Sequence, residues 1–380
     1  MIIYIVVFAL SIYFTFLAER FSKTKNVLAF FAASSVAVLM PSVLAGIRDT
    51  TIGYDTQVYG NFHFEMFREC SSMGIVEFAK LIIDGEYGGE WLYTLWAFLS
   101  IKYTGDVHWY YFFLNFFVCL FTYMAIYHNR RKASMPLMMF VFLFSFYNIS
   151  LNVMRQSMAL ALALFSYHFF EERRWKVLVL LLVMVGLFHG SGVFYVLVLF
   201  FIWLQQTKHV SSKKAKWLIL LIPFSFALFD PVLDFLISCG IFPQKFVAYG
   251  TDASKGGFMA ANTLLSLVLY VVLYQGFSKL PYKEKLKAQI YLNNQMLYVM
   301  FMFLMLVSVW AFRISYYFYY MNILFVPAYL RILSNNKLYN ARLVKAGAVF
   351  MIVFIWVWTI VFRGENSTVP YKSAILDGWL

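Results

Sequence analysis

Three arginines of this sequence lie near the ends of long apolar runs, where a positive charge is expensive. They are Arg48 in GIRDTTIGYDTQVY, Arg155 in NISLNVMRQSMALALAL and Arg313 in SVWAFRISYYFYYMN. An arginine at membrane depth costs roughly 3 kcal/mol or more, so it usually faces an aqueous cavity or a charged partner. Guanidinium offers a bidentate fork to phosphate oxygens, and the three together could bind a diphosphate. The simpler alternative for Arg155 is an internal salt bridge or a side chain that reaches the interface.

Three further side chains are candidates for a catalytic base. His189 lies in GLFHGSG, at the predicted interruption between two helices. Its unperturbed pKa near 6.5 suits it to take a hydroxyl proton near neutrality, and the alternative is a hydrogen-bonded packing residue. Asp55 and Glu90 are the second choices for the same role.

Polar residues beside the arginines could support such a site. Arg48, Asp49 and Asp55 surround Gly53, which permits a tight turn that could present backbone N–H groups to an anion. The alternative is an ordinary polar cap at the end of a span.

Four polar residues are expected to form one stripe of a single helix around Arg155, because they are spaced 4, 3 and 1 apart. They are Asn148, Asn152, Arg155 and Gln156. Alanines follow them and would allow close helix packing. The supporting polar residues of the candidate site are therefore Asn152, Gln156 and Asp49. The tyrosines after Arg313 are more simply explained as an interfacial aromatic belt.

The composition excludes a water-soluble globular enzyme. Of 380 residues, 62% are hydrophobic and only 13% are charged, against about 25% in ordinary soluble domains. Apolar runs long enough to cross a bilayer recur along the chain. The sequence predicts an all-α polytopic membrane protein, one integral membrane domain over 1–380 with about twelve transmembrane helices (range about 10 to 13). The predicted spans are 2–18, 27–47, 107–128, 135–149, 153–170, 177–189, 191–204, 216–237, 259–278, 290–312, 315–332 and 345–362.

The distribution of charge predicts the topology. Alternate loops hold 21 Lys and Arg against 4 acidic residues, and the rest of the chain holds 10 against 14. By the positive-inside rule the first set is cytoplasmic. The net charge of +13 therefore follows from topology, and a nucleic-acid partner is not expected.

The outer face then carries three long segments. The longest, 48–106, contains amphipathic stretches at 74–84 and 91–103 that we interpret as interfacial or re-entrant helices. The second is 238–258 and the third is the tail 363–380. The sequence shows no metal-ligand cluster and no nucleotide-binding loop, so neither a metal nor a cofactor is expected.

These motifs together resemble the EpsG family and the wider Wzy-type O-antigen and polysaccharide polymerases. The resemblance rests on R-x-x-x-x-G-x-D-T from Arg48, N-x-x-R-Q-x-x-A from Asn152, F-H-x-S at His189, then FRISYYF and VPYKSAI, in order from about residue 46 to 373. It implies a bacterial inner-membrane enzyme whose active site faces the periplasm. Such an enzyme transfers a growing glycan from undecaprenyl diphosphate to a lipid-linked repeat unit.

The resemblance also implies roles and partners. Arg48, Arg155 and Arg313 would hold the diphosphate and His189 would be the matching base. The expected partners are the undecaprenyl-diphosphate-linked oligosaccharide, the lipid bilayer, a chain-length regulator and a flippase, and the product is O-antigen, capsule or exopolysaccharide.

Other functions remain open on the sequence. A transporter or flippase of the same lipid-linked sugar would also want cationic cavity residues, although we find no related halves with matching broken spans. A membrane acyltransferase that modifies polysaccharide would use an intramembrane His, and a chain-length or scaffold protein would need no chemistry.

Overall fold

The structure is a computed structural model that describes residues 1–207, 219, 221–222, 229–239, 256–306, 311–337 and 340–377. Every regular element within those ranges is helical, as the all-α class predicts. The chain divides into two compact units, Met1–Val196 with Trp356–Leu380, and Leu197–Ile355. The single integral membrane domain over 1–380 stays a prediction.

The first unit begins with a hairpin of two apolar helices. α1 (Ile2–Thr24) ends where Lys25 takes a left-handed conformation with φ of 58°. Asn26 then caps α2 (Val27–Gly46), because its side chain accepts a backbone N–H of the first turn at 3.1 Å. Two consecutive residues therefore stop one apolar helix and start the next.

The middle of the first unit packs around one almost fully buried helix, α9. The elements after α2 are the π-helix Thr56–Gly60, α3 (Asn61–Glu69), α4 (Ile75–Ile83), α5 (Trp91–Thr104), α6 (Val107–His128), α7 (Met135–Ser145), α8 (Tyr147–Asn152), α9 (Met154–Glu171), α10 (Trp175–Phe188), the 3-10 turn Gly190–Phe194 and α11 (Tyr195–Gln206), which continues into the second unit. Ala159, Ala161 and Ala163 of α9 are at most 1% exposed. These small side chains allow α6 and α10 to pack closely on α9.

The second unit is held together by amide side chains between its helices. It contains α12 (Phe229–Ser238), α13 (Gly256–Tyr274), α14 (Tyr282–Met302), the 3-10 turns Phe303–Leu306 and Ala311–Ile314, α15 (Ser315–Asn335) and α16 (Ala341–Trp356), whose last residue belongs to the first unit. Asn294 donates to Asn322 at 2.9 Å, and Asn322 donates to Gln295 at 2.5 Å. Gln295 in turn donates to the Ser266 carbonyl at 3.0 Å. These hydrogen bonds between neutral groups join α13, α14 and α15.

Within the described ranges, four helices are long and apolar enough to cross a membrane by length and composition: Ile2–Thr24, Val27–Gly46, Val107–His128 and Ala341–Phe362. Shorter apolar helices include Met135–Ser145 and Trp175–Phe188. The protein is therefore a multi-pass membrane protein, while the count of twelve spans and the orientation stay predictions. Part of the predicted span 216–237 and most of the predicted loop 238–258 lie outside the described residues.

The 48–106 segment is more helical than the sequence predicts. The amphipathic stretches 74–84 and 91–103 are confirmed as helices by α4 and α5, while their position at a membrane surface stays a prediction. The helical run from Thr56 to Glu69 was not expected. Its buried residues Phe64 and Phe67 are three positions apart, a helical spacing that signals one face.

Two predicted helical runs are interrupted in the structure. The stripe from Asn148 to Gln156 is wrong as a feature of one helix, because Val153 (φ −87°, ψ 58°) separates α8 from α9. The span 290–312 is also wrong as one continuous helix, since α14 ends at Met302. In both places the chain leaves regular helix without the glycine or proline that usually signals it.

The tail returns to the start of the first unit. After the π-helix Val357–Phe362 come the 3-10 turn Glu365–Ser367 and α17 (Ala374–Asp377). The Tyr4 hydroxyl donates to the Thr368 carbonyl at 2.8 Å, and Asn148 donates to the Thr368 hydroxyl at 2.9 Å. Tyr371 donates to the Leu44 carbonyl at 2.7 Å. The tail is thus bonded to α1, α2 and α8.

The turn after Arg48 generates a prediction on stability. Gly53 has φ of 93°, and a Cβ there would lie 2.7 Å from the Thr56 hydroxyl oxygen and 3.0 Å from the Leu151 carbonyl oxygen. We expect Gly53→Ala to lower the free energy of unfolding by about 2 to 4 kcal/mol, because backbone strain and a clash add. Thermal unfolding of the purified protein in detergent measures the effect.

The matched control is Gly85→Ala. Gly85 has φ of 88° but nothing within 4 Å of its added Cβ, so only the strain of about 1 kcal/mol applies. An equal loss of stability in the two variants would contradict the packing described at Gly53.

Candidate active site

The structure brings together three of the residues that the sequence singles out: Arg155, Glu90 and His189. Arg155 Nη1 donates to Glu90 Oε2 at 2.7 Å, and His189 Nε2 lies 3.5 Å from Glu90 Oε1. The three side chains are 33%, 22% and 22% exposed, respectively. A cation, a carboxylate and an imidazole therefore meet where a ligand can reach them.

Each of these side chains comes from the end of a helix. Glu90 precedes α5, Arg155 is the second residue of α9, and His189 follows the last residue of α10. The first N–H groups of a helix have no partner within it, and the helix carries partial positive charge there. Arg155 thus adds its charge to the end of α9 that already favours an anion.

The His189 ring is oriented by its own turn. Its backbone is extended (φ −158°, ψ 128°), and the helix interruption predicted at GLFHGSG is confirmed. Nδ1 accepts the backbone N–H of Ser191 at 3.2 Å and lies 2.8 Å from the Ser191 hydroxyl. The neutral ring therefore carries its proton on Nε2, the nitrogen that faces Glu90. Gln156 reaches the same hydroxyl, at 3.3 Å.

Aromatic rings surround the Arg155 guanidinium. Its carbon lies 5.2 Å from the centre of the Tyr59 ring and 5.9 Å from that of Tyr93, within the range of cation–π attraction. The Tyr93 hydroxyl is 2.8 Å from that of Tyr110 and 3.0 Å from His63 Nδ1. Burial, together with the nearby charge of Arg155, lowers the pKa of His63 to about 4. His63 is thus neutral at physiological pH.

Arg48 is buried, and the diphosphate-binding role expected of it stays a prediction. It is 1% exposed, and its guanidinium carbon lies 4.6 Å from the centre of the Tyr111 ring. Nη2 contacts the Thr56 hydroxyl and the Met154 sulfur, each at 3.3 Å. In the described part of the chain it forms no ion pair with a carboxylate. It joins the end of α2 to the residue before Arg155.

The turn around Gly53 uses its N–H groups inside the protein. The Asp49 and Gly53 N–H groups donate to the tail carbonyls of Lys372 and Ser367, at 2.9 and 3.0 Å. The Asp55 N–H donates to the Asn152 side chain at 2.8 Å. These groups are not available to an anion, so that expectation is wrong.

Asp49 and Asn152 form hydrogen bonds at this turn, and the roles expected of them and of Asp55 stay predictions. Asp49 Oδ1 accepts both the N–H and the hydroxyl of Thr51, at 2.8 and 2.6 Å, and these bonds hold the pKa of Asp49 below its usual value. Asp55 is 8% exposed. Its charge acts electrostatically on Arg155.

Arg313 belongs to the second unit, where it lies in the 3-10 turn Ala311–Ile314. The tyrosines that follow it do not all form an interfacial belt. Tyr317 and Tyr320 are at most 2% exposed, and Tyr319 stacks on Tyr298 with ring centres 4.3 Å apart. These rings pack within the unit instead.

Several site residues were missed at the level of sequence: Ser191, Tyr59, Tyr93 and His63. The spacing of Ser191 two residues after His189 is a signal that could have identified it, because short polar side chains bond locally at turns. Tyr59 and Tyr93 give no signal in the sequence, because tyrosine and phenylalanine occur throughout the chain. His63 lies among such aromatic residues and has no motif around it.

Comparison with known proteins adds one finding. The model of the EpsG family matches residues 31–373, nearly the whole chain. No curated protein and no solved structure shows a significant match.

The environment of His63 generates a prediction. Because the positive charge of Arg155 disfavours the protonated imidazole, we expect Arg155→Gln to raise the pKa of His63 from about 4 towards its usual value of 6.5, with burial still holding it below. Histidine NMR titration of the isotope-labelled protein, assigned with His63→Asn, measures it.

The matched control is Arg68→Gln. Arg68 lies on the same helix as His63 but is 57% exposed and paired with Glu65, so it should leave that pKa near 4. An unchanged pKa in Arg155→Gln would contradict the described arrangement.

Proposed function

The chain belongs to the EpsG family, which includes Wzy-type polymerases, and on that premise we propose that it is a polysaccharide polymerase acting on lipid-linked substrates. It transfers a growing glycan from undecaprenyl diphosphate to the sugar of a lipid-linked repeat unit. The reaction takes place at the periplasmic face of the bacterial inner membrane. O-antigen, capsule and exopolysaccharide are the product classes that fit.

The cluster of Arg155, Glu90 and His189 is the observation that carries this proposal. A partly exposed guanidinium at a helix start suits an anionic leaving group, and a carboxylate with an imidazole beside it suits an incoming hydroxyl. The exposed ring of Tyr59, which contacts Arg155, offers an apolar face of the kind that can pack on a sugar ring. The site therefore holds the groups needed at both ends of the transferred bond.

In the proposed step, the acceptor hydroxyl oxygen attacks the anomeric carbon of the donor sugar. The bond from that carbon to the diphosphate oxygen breaks, and its electron pair leaves with the diphosphate. Arg155 and the N–H groups that begin α9 stabilise the leaving charge, a contribution of roughly 3 to 4 kcal/mol for a well-placed group. The hydroxyl proton passes to the pair of Glu90 and His189. A second carboxylate is unnecessary because diphosphate leaves without protonation.

The other two arginines take different parts in the proposal. Arg48 is a positioning residue, because its side chain is buried beside Met154 and touches no ligand surface. Arg313 keeps the diphosphate-binding role that its sequence motif suggests.

The assay uses the purified protein in detergent with a synthetic polyprenyl-diphosphate-linked repeat unit, without nucleotide, and resolves the products on a gel. A ladder of lengths supports the polymerase. If the substrate stays a single repeat while protein in vesicles moves it across the bilayer, the function is that of a flippase.

The variant Arg155→Ala gives the sharpest prediction. We expect polymer formation to fall by roughly 100-fold to 1,000-fold, the cost of losing one preorganised donor to a developing anion. The matched control is Arg68→Ala on α3, an exposed arginine paired with Glu65, which should polymerise normally. Polymer of normal yield and length from Arg155→Ala, at normal protein level, would refute the assignment.

A further inference from the structure

Arg155 is only partly available to a diphosphate, because it already pairs with a carboxylate. Glu90 Oε2 accepts from Arg155 Nη1 at 2.7 Å, so one of the guanidinium donors is already engaged. The carboxylate also places a negative charge where an anionic ligand has to lie. A diphosphate that takes Arg155 must therefore compete with Glu90, and both groups are exposed enough for the exchange.

The loop that carries Glu90 is built to let this side chain move. Residues 84–90 read DGEYGGE, and Gly85 and Gly88 have φ of 88° and 80°. An added Cβ at Gly85, Gly88 or Gly89 would meet nothing within 4 Å. Tyr87 anchors the middle of the loop, because its ring packs on Phe67 and Phe78. The dihedral angles that can change without breaking packing contacts are therefore those of Gly88 and Gly89, directly before Glu90.

Arg155, in contrast, is held in place by groups other than Glu90. The rings of Tyr59 and Tyr93 flank the guanidinium. The backbone on either side is fixed, because Val153 N–H donates to the Ile149 carbonyl and Ser157 N–H donates to the Val153 carbonyl. Loss of the Glu90 contact therefore moves the carboxylate and leaves the arginine where it is.

We propose that the Glu90 side chain is a latch that the donor diphosphate displaces from Arg155, and that the released carboxylate is the base that takes the acceptor proton. This inference rests on the proposed function and adds the order of events. Until the donor binds, Glu90 Oε2 is occupied by the Arg155 donor, and displacement frees that oxygen for the acceptor proton. The hydroxyl proton goes to a Glu90 oxygen, and the electron pair of the broken carbon–oxygen bond goes to the diphosphate.

His189 is a positioning residue in this scheme. In the neutral form its Nδ1 accepts the Ser191 N–H, and its Nε2 proton faces Glu90 Oε1 at 3.5 Å. Both ring nitrogens are thus engaged, and neither offers a lone pair to an acceptor hydroxyl. The ring instead keeps a hydrogen-bond donor beside the carboxylate when the Arg155 contact is lost.

The test separates binding from turnover. Binding of farnesyl diphosphate to the purified full-length protein is measured by calorimetry, and polymer formation is measured in the gel assay. For Glu90→Gln we expect the dissociation constant of farnesyl diphosphate to fall by about fivefold, since the competing charge at a partly exposed pair is gone. Polymer formation should fall by at least about 100-fold, the contribution of a general base.

The matched control is Glu86→Gln, an exposed carboxylate of the same loop, which should change neither quantity. Weaker or unchanged binding in Glu90→Gln overturns the latch, because a purely structural carboxylate gives one of those results. Normal polymer formation overturns the base.

A second variant decides the case if Glu90→Gln does not fold. Glu90→Asp keeps the charge on a shorter side chain, so we expect tighter binding of farnesyl diphosphate together with partial polymer formation. Unchanged binding in this variant overturns the latch. If the wild-type protein binds but makes no polymer, the proposed function fails, and the binding comparison still tests the displacement.

Discussion

The cost of holding a positive charge away from water governs how Arg48 and Arg155 are built into the first unit. Arg155 is compensated by the Glu90 carboxylate and by two ring faces, and it remains partly exposed. Arg48 is compensated by the Tyr111 ring, the Thr56 hydroxyl and the Met154 sulfur, and it is buried. A residue whose charge is balanced by a mobile carboxylate can exchange that partner for a ligand, whereas one enclosed by neutral groups serves the architecture.

Helix ends, and not helix faces, build the site. α9 begins after Val153 and α10 ends before His189, so that the polar side chains of the site project from the ends of these helices. Long apolar helices such as α2 and α6 supply the rigid frame behind these ends. This arrangement is the one expected of a membrane protein, because irregular backbone within the bilayer is stable only where protein or a cavity covers it.

The sequence predicted the frame better than the site. The run 107–128 is a helix with those bounds, and 27–47 differs by one residue, because uniform apolar runs end at clear caps such as Asn26 and Asp106. Arg155 and His189, both candidates on the sequence, each contact an oxygen of Glu90, and Glu90 appeared only as a second choice of base. Its pairing with Arg155 spans 65 positions, and no periodic pattern reports a contact between a loop and a helix start. The break at Val153 leaves no signal either.

The bonds between the tail and the turn after Arg48 also impose an order on biogenesis. Asp49 and Gly53 donate to carbonyls of Lys372 and Ser367, residues that leave the ribosome more than 300 positions later. At ordinary rates of synthesis this delay is about 15 to 60 s. Until the tail has been made, the backbone N–H groups of this turn have no tail carbonyls to bond. The centre near Arg155 thus reaches its final form only after the tail has been translated, which couples maturation of the protein to synthesis of the tail.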